Sequence, residues 1–298
     1  MVKGMRALKI KKIKFFNVIN VFVMIALILC FALPYGMILG SSLSTERSLA
    51  FNGYLIFPRE FSFAAYKYIF SNDNYMFRSI LNSVFLTGVG TLIALIITPM
   101  YAYVTSRSRC PGKRFLNNFA IFTMLFGGGL IPYYLLVTNL GLRNTLWAII
   151  LPGAMSAWNM LLVRNYFYGI PDSLEESAKL DGANSYAILF RIYMPMSMPV
   201  LASIFLFSAV GYWNNWFGPL LFIETKAKYP VQYLIKDMLS QLESLNTAEG
   251  GAAGSPGATP LISTRMAAIV VASLPVIAIY PFLQKYFING VMLGSVKE

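Results

Sequence analysis

The residues with the most chemistry to offer are gathered in one short segment, IPDSLEESAKLDGANSYAILFRIYMPMSMP, residues 170–199. Two adjacent carboxylates, Glu175 and Glu176, are followed by Asp181 and Gly182, and long apolar runs lie on either side. Charge placed in such a setting is a surface on which another protein docks. The local signals predict a short helix, a turn and a second short helix. Pro171 and Asp172 open the first helix, with Glu175 at the spacing of a capping box. Gly182 ends it, because a left-handed backbone costs glycine little. Asn184 or Ser185 caps the second helix, and Pro195 is expected to close it. Ser177, Ala178, Ala183 and Ala187 keep one face small enough for close approach.

The elements that must hold this segment are apolar. Hydrophobic residues make up 57% of the 298 and charged residues 12%, against about 25% charged in soluble domains. Six windows contain no Asp, Glu, Lys or Arg: 15–45, 79–106, 115–142, 144–163, 192–223 and 266–284. Each can supply the ~20 apolar residues that carry a helix across a hydrocarbon core. Backbone groups in lipid must be satisfied internally, and the alternating pattern of a membrane barrel is absent. The predicted class is therefore all-α: a polytopic membrane protein of six transmembrane helices, forming one domain over 1–298, with the 170–199 segment between spans four and five. Placing the N-terminus inside assigns fifteen of the 24 Lys and Arg to the cytoplasmic side and nine to the outside. Both termini, the basic tail 1–14 and the 170–199 segment are then cytoplasmic. The net charge of +12 is accounted for by topology and contact with anionic lipid, without nucleic acid. The first window reads as a retained span, not a cleaved leader.

Outside the membrane, residues 41–78 mix aromatics with polar residues, as an interfacial packing collar does; a sugar-contacting surface is the other reading. The short turn at 139–144 predicts that spans three and four are antiparallel neighbours. The last outer segment, 224–265, opens with apolar residues at Leu234, Met238, Leu239 and Leu242, the spacing of an amphipathic helix lying on the membrane. It continues as TAEGGAAGSPGATP, which reads as a mobile loop. Gly127, Gly128 and Gly129 within the third window suggest helix flexibility or close helix packing.

No catalytic constellation is visible. The chain has no histidine, no carboxylate in any of the six windows, and no Gly-rich phosphate loop followed by Lys. Cys30 and Cys110 fall at different levels, so neither a disulfide nor a metal pair is implied. Ion-coupled carriers keep ionisable residues near the midplane. This chain keeps none, so energy for any transport must enter from outside the bilayer.

The 170–199 segment resembles the EAA loop of permease subunits of type I ABC importers. The matching positions are Glu176, Ser177, Ala178, Gly182, Ile192, Met194 and Pro195, at that family's spacing, with Ser177 in place of Ala and Met194 in place of Leu. YWNNWFGPLLFI (212–223) and PFLQKYFINGVMLG (281–294) are similar to the carbohydrate branch of these permeases, its maltose-type and oligosaccharide–polysaccharide members. The resemblance implies a bacterial cell-membrane complex of this subunit, a second related permease, two ATPase subunits carrying ATP and Mg, and an extracytoplasmic solute-binding protein. The cargo is a sugar or oligosaccharide. No cofactor belongs to this chain itself, and ATP hydrolysis falls to its partners. Glu175, Glu176, Ala178, Asp181 and Gly182 form the implied ATPase-coupling surface. Glu176 is its anchor, Gly182 supplies the turn, and Ala178 allows the close approach. In maltose-type members the loop before the last span reaches into the binding protein, and residues 247–260 hold that position; a plain linker is the other reading.

For the substrate path the candidates are Trp213, Asn214, Asn215 and Trp216, with Trp158 and Asn159 in span four. Indole faces suit sugar rings and Asn amides suit hydroxyls. Helix–helix contact is the rival reading of the same residues. A permease for a non-sugar solute, a self-contained carrier or channel, and a membrane enzyme are the alternatives to a sugar importer.

Overall fold

The computed structural model describes residues 15–71, 75–107, 110–248 and 261–290. Helices occupy nearly all of them: α1 Phe15–Ser42, α2 Glu46–Asn52, α3 Ala64–Ile69, α4 Met76–Ser106, α5 Lys113–Leu125, α6 Leu130–Asn139, α7 Trp147–Gly153, α8 Ala157–Tyr168, α9 Asp172–Leu180, α10 Ser185–Ile188, α11 Met194–Met196, α12 Met198–Trp213, α13 Phe217–Phe222, α14 Val231–Ala248 and α15 Leu261–Gly290. A π-helical stretch, Leu189–Tyr193, joins α10 to α11, and a 3-10 turn, Lys226–Lys228, precedes α14. Among the described residues the only strand-like pairing is a single bridge between Ser44 and Phe61. The all-helical expectation therefore holds. The basic tail 1–14 and most of the Gly/Ala-rich loop (249–260) lie outside the described residues.

The apolar windows become helices of unequal kinds. Val18–Ser42, Met76–Ser106 and Ile262–Ile279 are each long and apolar enough to cross a membrane. Two further runs reach that length only as bent pairs. Lys113–Leu125 and Leu130–Asn139 meet at 118°, and Ser185–Met196 meets Met198–Trp213 at 86°. The first bend falls at Gly127–Gly129, where α5 ends with Phe126 N–H on the Phe122 carbonyl and Gly129 takes φ +87°. A Cβ at Gly127 or Gly128 would touch nothing within 4 Å. These glycines thus break the helix, and no described residue of this chain packs closely on Gly127 or Gly128. The fourth window is also interrupted: Ser156 caps α8 by accepting from Asn159 N–H, so Ala154–Ser156 separate two short helices.

The chain divides into two compact units, Met1–Lys67 with Ala252–Val270, and Tyr68–Gly251 with Val271–Glu298. In the first, Glu46 receives the backbone N–H groups of Ile262 (2.7 Å) and Ser263 (3.1 Å) and the Ser263 hydroxyl (2.9 Å). A carboxylate is well placed against the free N–H groups of a helix start. In the second, α4 is the hub, packed chiefly by α12 and α8. Near its N-terminal end, Asn82 Nδ2 donates to the Ala227 (2.9 Å) and Tyr229 (3.2 Å) carbonyls, and Ser83 Oγ accepts from Val231 N–H at 2.7 Å. Here the expectation for the outer amphipathic helix needs correction. Val231, Tyr233, Leu234 and Ile235 are buried, so the first turns of α14 pack against protein, where a membrane-surface helix would turn them to lipid.

The 139–144 turn is braced by an element that its sequence does not suggest. Asn144, at φ +56°, receives the Glu224 and Thr225 N–H groups on Oδ1 and donates through Nδ2 to Thr225 Oγ1 at 3.0 Å. Its own N–H reaches the Phe222 carbonyl at 2.7 Å. Asn144→Ala forfeits both the side-chain contacts and the tolerance of a left-handed backbone, and is expected to cost about 1–3 kcal/mol. A fall in the thermal midpoint of the solubilised protein checks this; an unchanged midpoint counts against the brace.

Candidate functional site: the 170–199 segment

The predicted helix, turn and helix are present, with their caps resolved. Helix α9 begins after Pro171, carries Asp172 and Glu175 in its first turn and Lys179 in its last, an arrangement that suits the helix dipole. The capping box does not form, because Pro171 occupies the cap position and Glu175 is engaged elsewhere. Gly182 takes φ +80°. Its N–H meets the Lys179 carbonyl and that of Ala183 meets Ala178, the paired bonds of a Schellman ending. Asn184 caps α10 through Ala187 N–H at 2.8 Å. Pro195 does not close the second helix. The π turn and α11 carry it on to Met196, since a proline within the first turn of a new helical stretch withholds no needed N–H.

The adjacent glutamates differ in their surroundings. Glu175 is buried, with side-chain exposure of 10%, while Glu176 is exposed. One Glu175 oxygen accepts from Arg107 at 2.7 Å and from the Tyr193 hydroxyl at 3.3 Å; the other accepts from Lys179 at 2.6 Å. Burial alone pushes the Glu175 carboxyl up. Hydrogen bonds from Lys179 and Arg107, and their charges, outweigh burial and hold it below the usual carboxylate value. Arg107 also reaches the Tyr193 hydroxyl, Asp172 at 3.3 Å and the Phe167 carbonyl at 3.4 Å. Its guanidinium lies 4.5 Å over the Tyr193 ring. Phe167 and Tyr103 pack edge-on against Tyr193, all within a core that includes Ile170, Ile188 and Leu189.

What is left facing outward is a mixed surface. Glu176, Ser177 and Asp181 are exposed, and with them Leu180 (90%), Tyr186 (66%) and Phe190 (44%). Ala178 and Ala183 are half-buried, packed beneath against the core. A cavity of about 390 Å³ opens beside the surface, lined by Tyr103, Arg107, Cys110, Glu175, Lys179 and Tyr186 among others. What the arrangement offers is a negative charge and apolar side chains on a scaffold fixed by an internal ion network. Of the segment's five singled-out residues, Glu176, Asp181 and Gly182 are on the surface, Ala178 is at its base, and Glu175 belongs to the interior. Sequence reasoning missed Arg107 and Tyr193. Arg107 is the first charge after a long apolar window, which marks an interface but names no partner.

The aromatic and amide residues of 212–216 are distributed differently. Trp213 is buried and donates Nε1–H to the Ala272 carbonyl at 3.1 Å, a packing contact with α15. Asn215 Oδ1 accepts from Gly218 N–H at 2.9 Å, capping the start of α13. Asn214 is exposed and accepts from Gln232 at 3.4 Å. Trp216 is part-exposed, with Lys236 Nζ 3.1 Å from its ring centre. Trp158 is exposed and Asn159 buried. The six do not converge on one surface as a group; Asn214 and Trp216 are the accessible pair within the 212–216 run.

A helical membrane chain with an ion-locked segment displaying a glutamate and apolar side chains is the class that these features define. The model of the binding-protein-dependent transport system inner membrane component matches residues 113–292, and the chain belongs to that family. Protein LplC of Bacillus subtilis (strain 168) is 43% identical over 267 residues, 89% of each chain. The polygalacturonan/rhamnogalacturonan transport system permease protein YtcP of the same organism is 40% identical over 276 residues, covering 93% of this chain and 96% of that protein. The crystal structure of a bacterial ABC transporter involved in the import of the acidic polysaccharide alginate superposes with a TM-score of 0.80 at 31% identity, over 94% of this chain and 99% of the matched one. The chain is a membrane permease component.

Proposed function

We propose that this chain is one of two permease subunits of an ATP-driven importer, forming half of the path for an oligosaccharide delivered by an extracytoplasmic binding protein. The carrying observation is the split between Glu175, locked inward, and Glu176, presented outward on a segment that also exposes Leu180, Tyr186 and Phe190. That surface suits a cleft on an ATPase subunit, with Glu176 meeting an Arg or Lys there. Two such ATPases bind and hydrolyse ATP with Mg, and this chain holds neither. A second related permease completes the path. The six crossings are α1, α4, α5 with α6, α7 with α8, α12 with α13, and α15, with both termini and the 170–199 segment on the cytoplasmic side. The relatives that handle polygalacturonan, rhamnogalacturonan and alginate favour fragments of acidic polysaccharides as cargo. ATP-driven closure of the ATPases and docking of loaded binding protein must favour the same outward-open state.

The test is a pull-down of the detergent-solubilised complex through this subunit, from cells expressing its whole gene cluster. Wild type is expected to bring a second permease and an ATPase. Glu176→Ala is expected to bring about tenfold less ATPase or lower, the loss of one desolvated charge pair. Recovery of the chain alone would return the reading to a self-contained carrier or channel.

A further inference from the structure

We propose that Arg107 is the positioning residue that carries movement of the docking surface into α4. The inference rests on the reading of 170–199 as an ATPase-docking segment and adds the route by which docking reaches the spans. Arg107 caps the C-terminus of α4 in extended conformation, φ −77° and ψ 139°. From there its guanidinium, with side-chain exposure of 12%, gathers three elements. It holds Glu175 and Asp172 on α9, the Phe167 carbonyl near the end of α8, and Tyr193 at the end of the π turn. Other contacts beneath α9 and α10, such as those of Ala178 and Ala183, are apolar and non-directional. They tolerate sliding. A guanidinium shared between carboxylates and a carbonyl does not, since its donors form a rigid planar fork.

The position of Arg107 on α4 decides where a displacement goes. α4 runs 31 residues and is packed by α12 and α8. Its far end is tied to the start of α14 by Asn82 and Ser83. A shift entering at Arg107 therefore acts on the element with the most neighbours in its unit. Close-packed interiors respond to such a push by changing arrangement and do not deform smoothly. The π turn adds a mark of the same kind: its extra residue sets Tyr193 within reach of both Arg107 and Glu175, and such insertions concentrate at functional positions.

Cys110 lines the same cavity as Arg107 and Glu175 and supplies the reporter. In a Cys30→Ser background, the assembled complex is labelled with a water-soluble maleimide, with and without ATP and vanadate, and the band of this 33.3 kDa chain is followed. The wild-type labelling rate is expected to differ at least about threefold between the two conditions, the low end of what one rearranged hydrogen bond contributes. Arg107→Gln is expected to keep the ATPase in the pull-down while the nucleotide-dependent difference disappears. A merely structural role would not separate these two readouts. Should Arg107→Gln elute as aggregate, Arg107→Lys, which keeps the charge and loses the fork, carries the test with a reduced difference expected. A nucleotide response that survives the substitution, or a wild type that shows none while holding its ATPase, overturns the relay. Wild type recovered without an ATPase overturns the parent reading as well, so the two failures are distinguishable.

Discussion

Glu175→Ala is expected to destabilise the permease by about 3–5 kcal/mol, while Glu176→Ala, one residue further on, leaves the thermal midpoint where it was. The two side chains are identical and differ only in what surrounds them. Removing Glu175 leaves the Arg107 guanidinium, itself mostly buried, with only the exposed Asp172 carboxylate as a counter-charge. It also strips a hydrogen-bond partner from the Tyr193 hydroxyl in the centre of the core. Glu176 has no comparable tie to lose. The measurement is the unfolding midpoint of the solubilised subunit, taken for both single variants and for Glu175→Leu with Arg107→Met. Removing both charges relieves the uncompensated cation, so the double variant is expected to lie above Glu175→Ala. Equal midpoints for Glu175→Ala and Glu176→Ala would sink the assignment of inward and outward roles.

The same pair of charges sets the pH behaviour. Glu175 is held below its ordinary value by Lys179 and Arg107. A carboxylate lowered in the folded state contributes stability that is complete above its unfolded value, ~4.3, and is lost as pH falls through the lower folded one. Its contribution, read as wild type minus Glu175→Gln, is therefore expected to be flat at neutral and mildly acidic pH. It should shrink only at or below the ordinary carboxylate range. A contribution that instead grows as pH falls through the mildly acidic range would mean that burial outweighs the two cations.

The membrane-helical class was legible because it rests on composition: six charge-free windows survive any local irregularity. The breaks within them were not. Gly127–Gly129, Ser156 and Ser197 interrupt helices without changing the apolar character of the run, so a hydropathy reading passes over them. Turn chemistry was readable at Gly182 and Asn184, where backbone conformation and capping depend on the residue itself. Which glutamate faces inward was not, because neighbouring helical positions differ by about 100° and the deciding partner, Arg107, lies 68 residues away. Helix α14 shows the same limit, since amphipathic spacing finds the apolar face but not whether lipid or protein covers it. Trp213 and Asn215 carry side chains suited to sugar, and the fold uses them for a helix contact and a cap.

Gly90→Ala is expected to lower the yield of monodisperse permease and to cost about 1–3 kcal/mol, with Gly90→Val worse. A Cβ at Gly90 would lie 2.5 Å from Cζ of Tyr212 and 2.6 Å from its Cε2. The ring has no room to retreat. Its hydroxyl donates to the Ile150 carbonyl at 2.8 Å, and its far edge fills the space beside Gly153, where a Cβ would lie 2.9 Å from the hydroxyl oxygen. Tyr212 is thus a wedge between α4 and α7, seated on two positions that need the smallest side chain. Tyr212→Leu shrinks the wedge, so it is expected to cost less in the Gly90→Ala background than in wild type. Additive costs would show that the glycine is not there for the ring. The wedge precedes Trp213, Asn214 and Trp216 in the chain, so its seating sets the position of the accessible pair, Asn214 and Trp216. On the proposed importer reading, Gly90→Ala is therefore expected to lose uptake while the pull-down retains its ATPase, because the 170–199 surface is untouched; loss of both together would count against separate roles for the two regions.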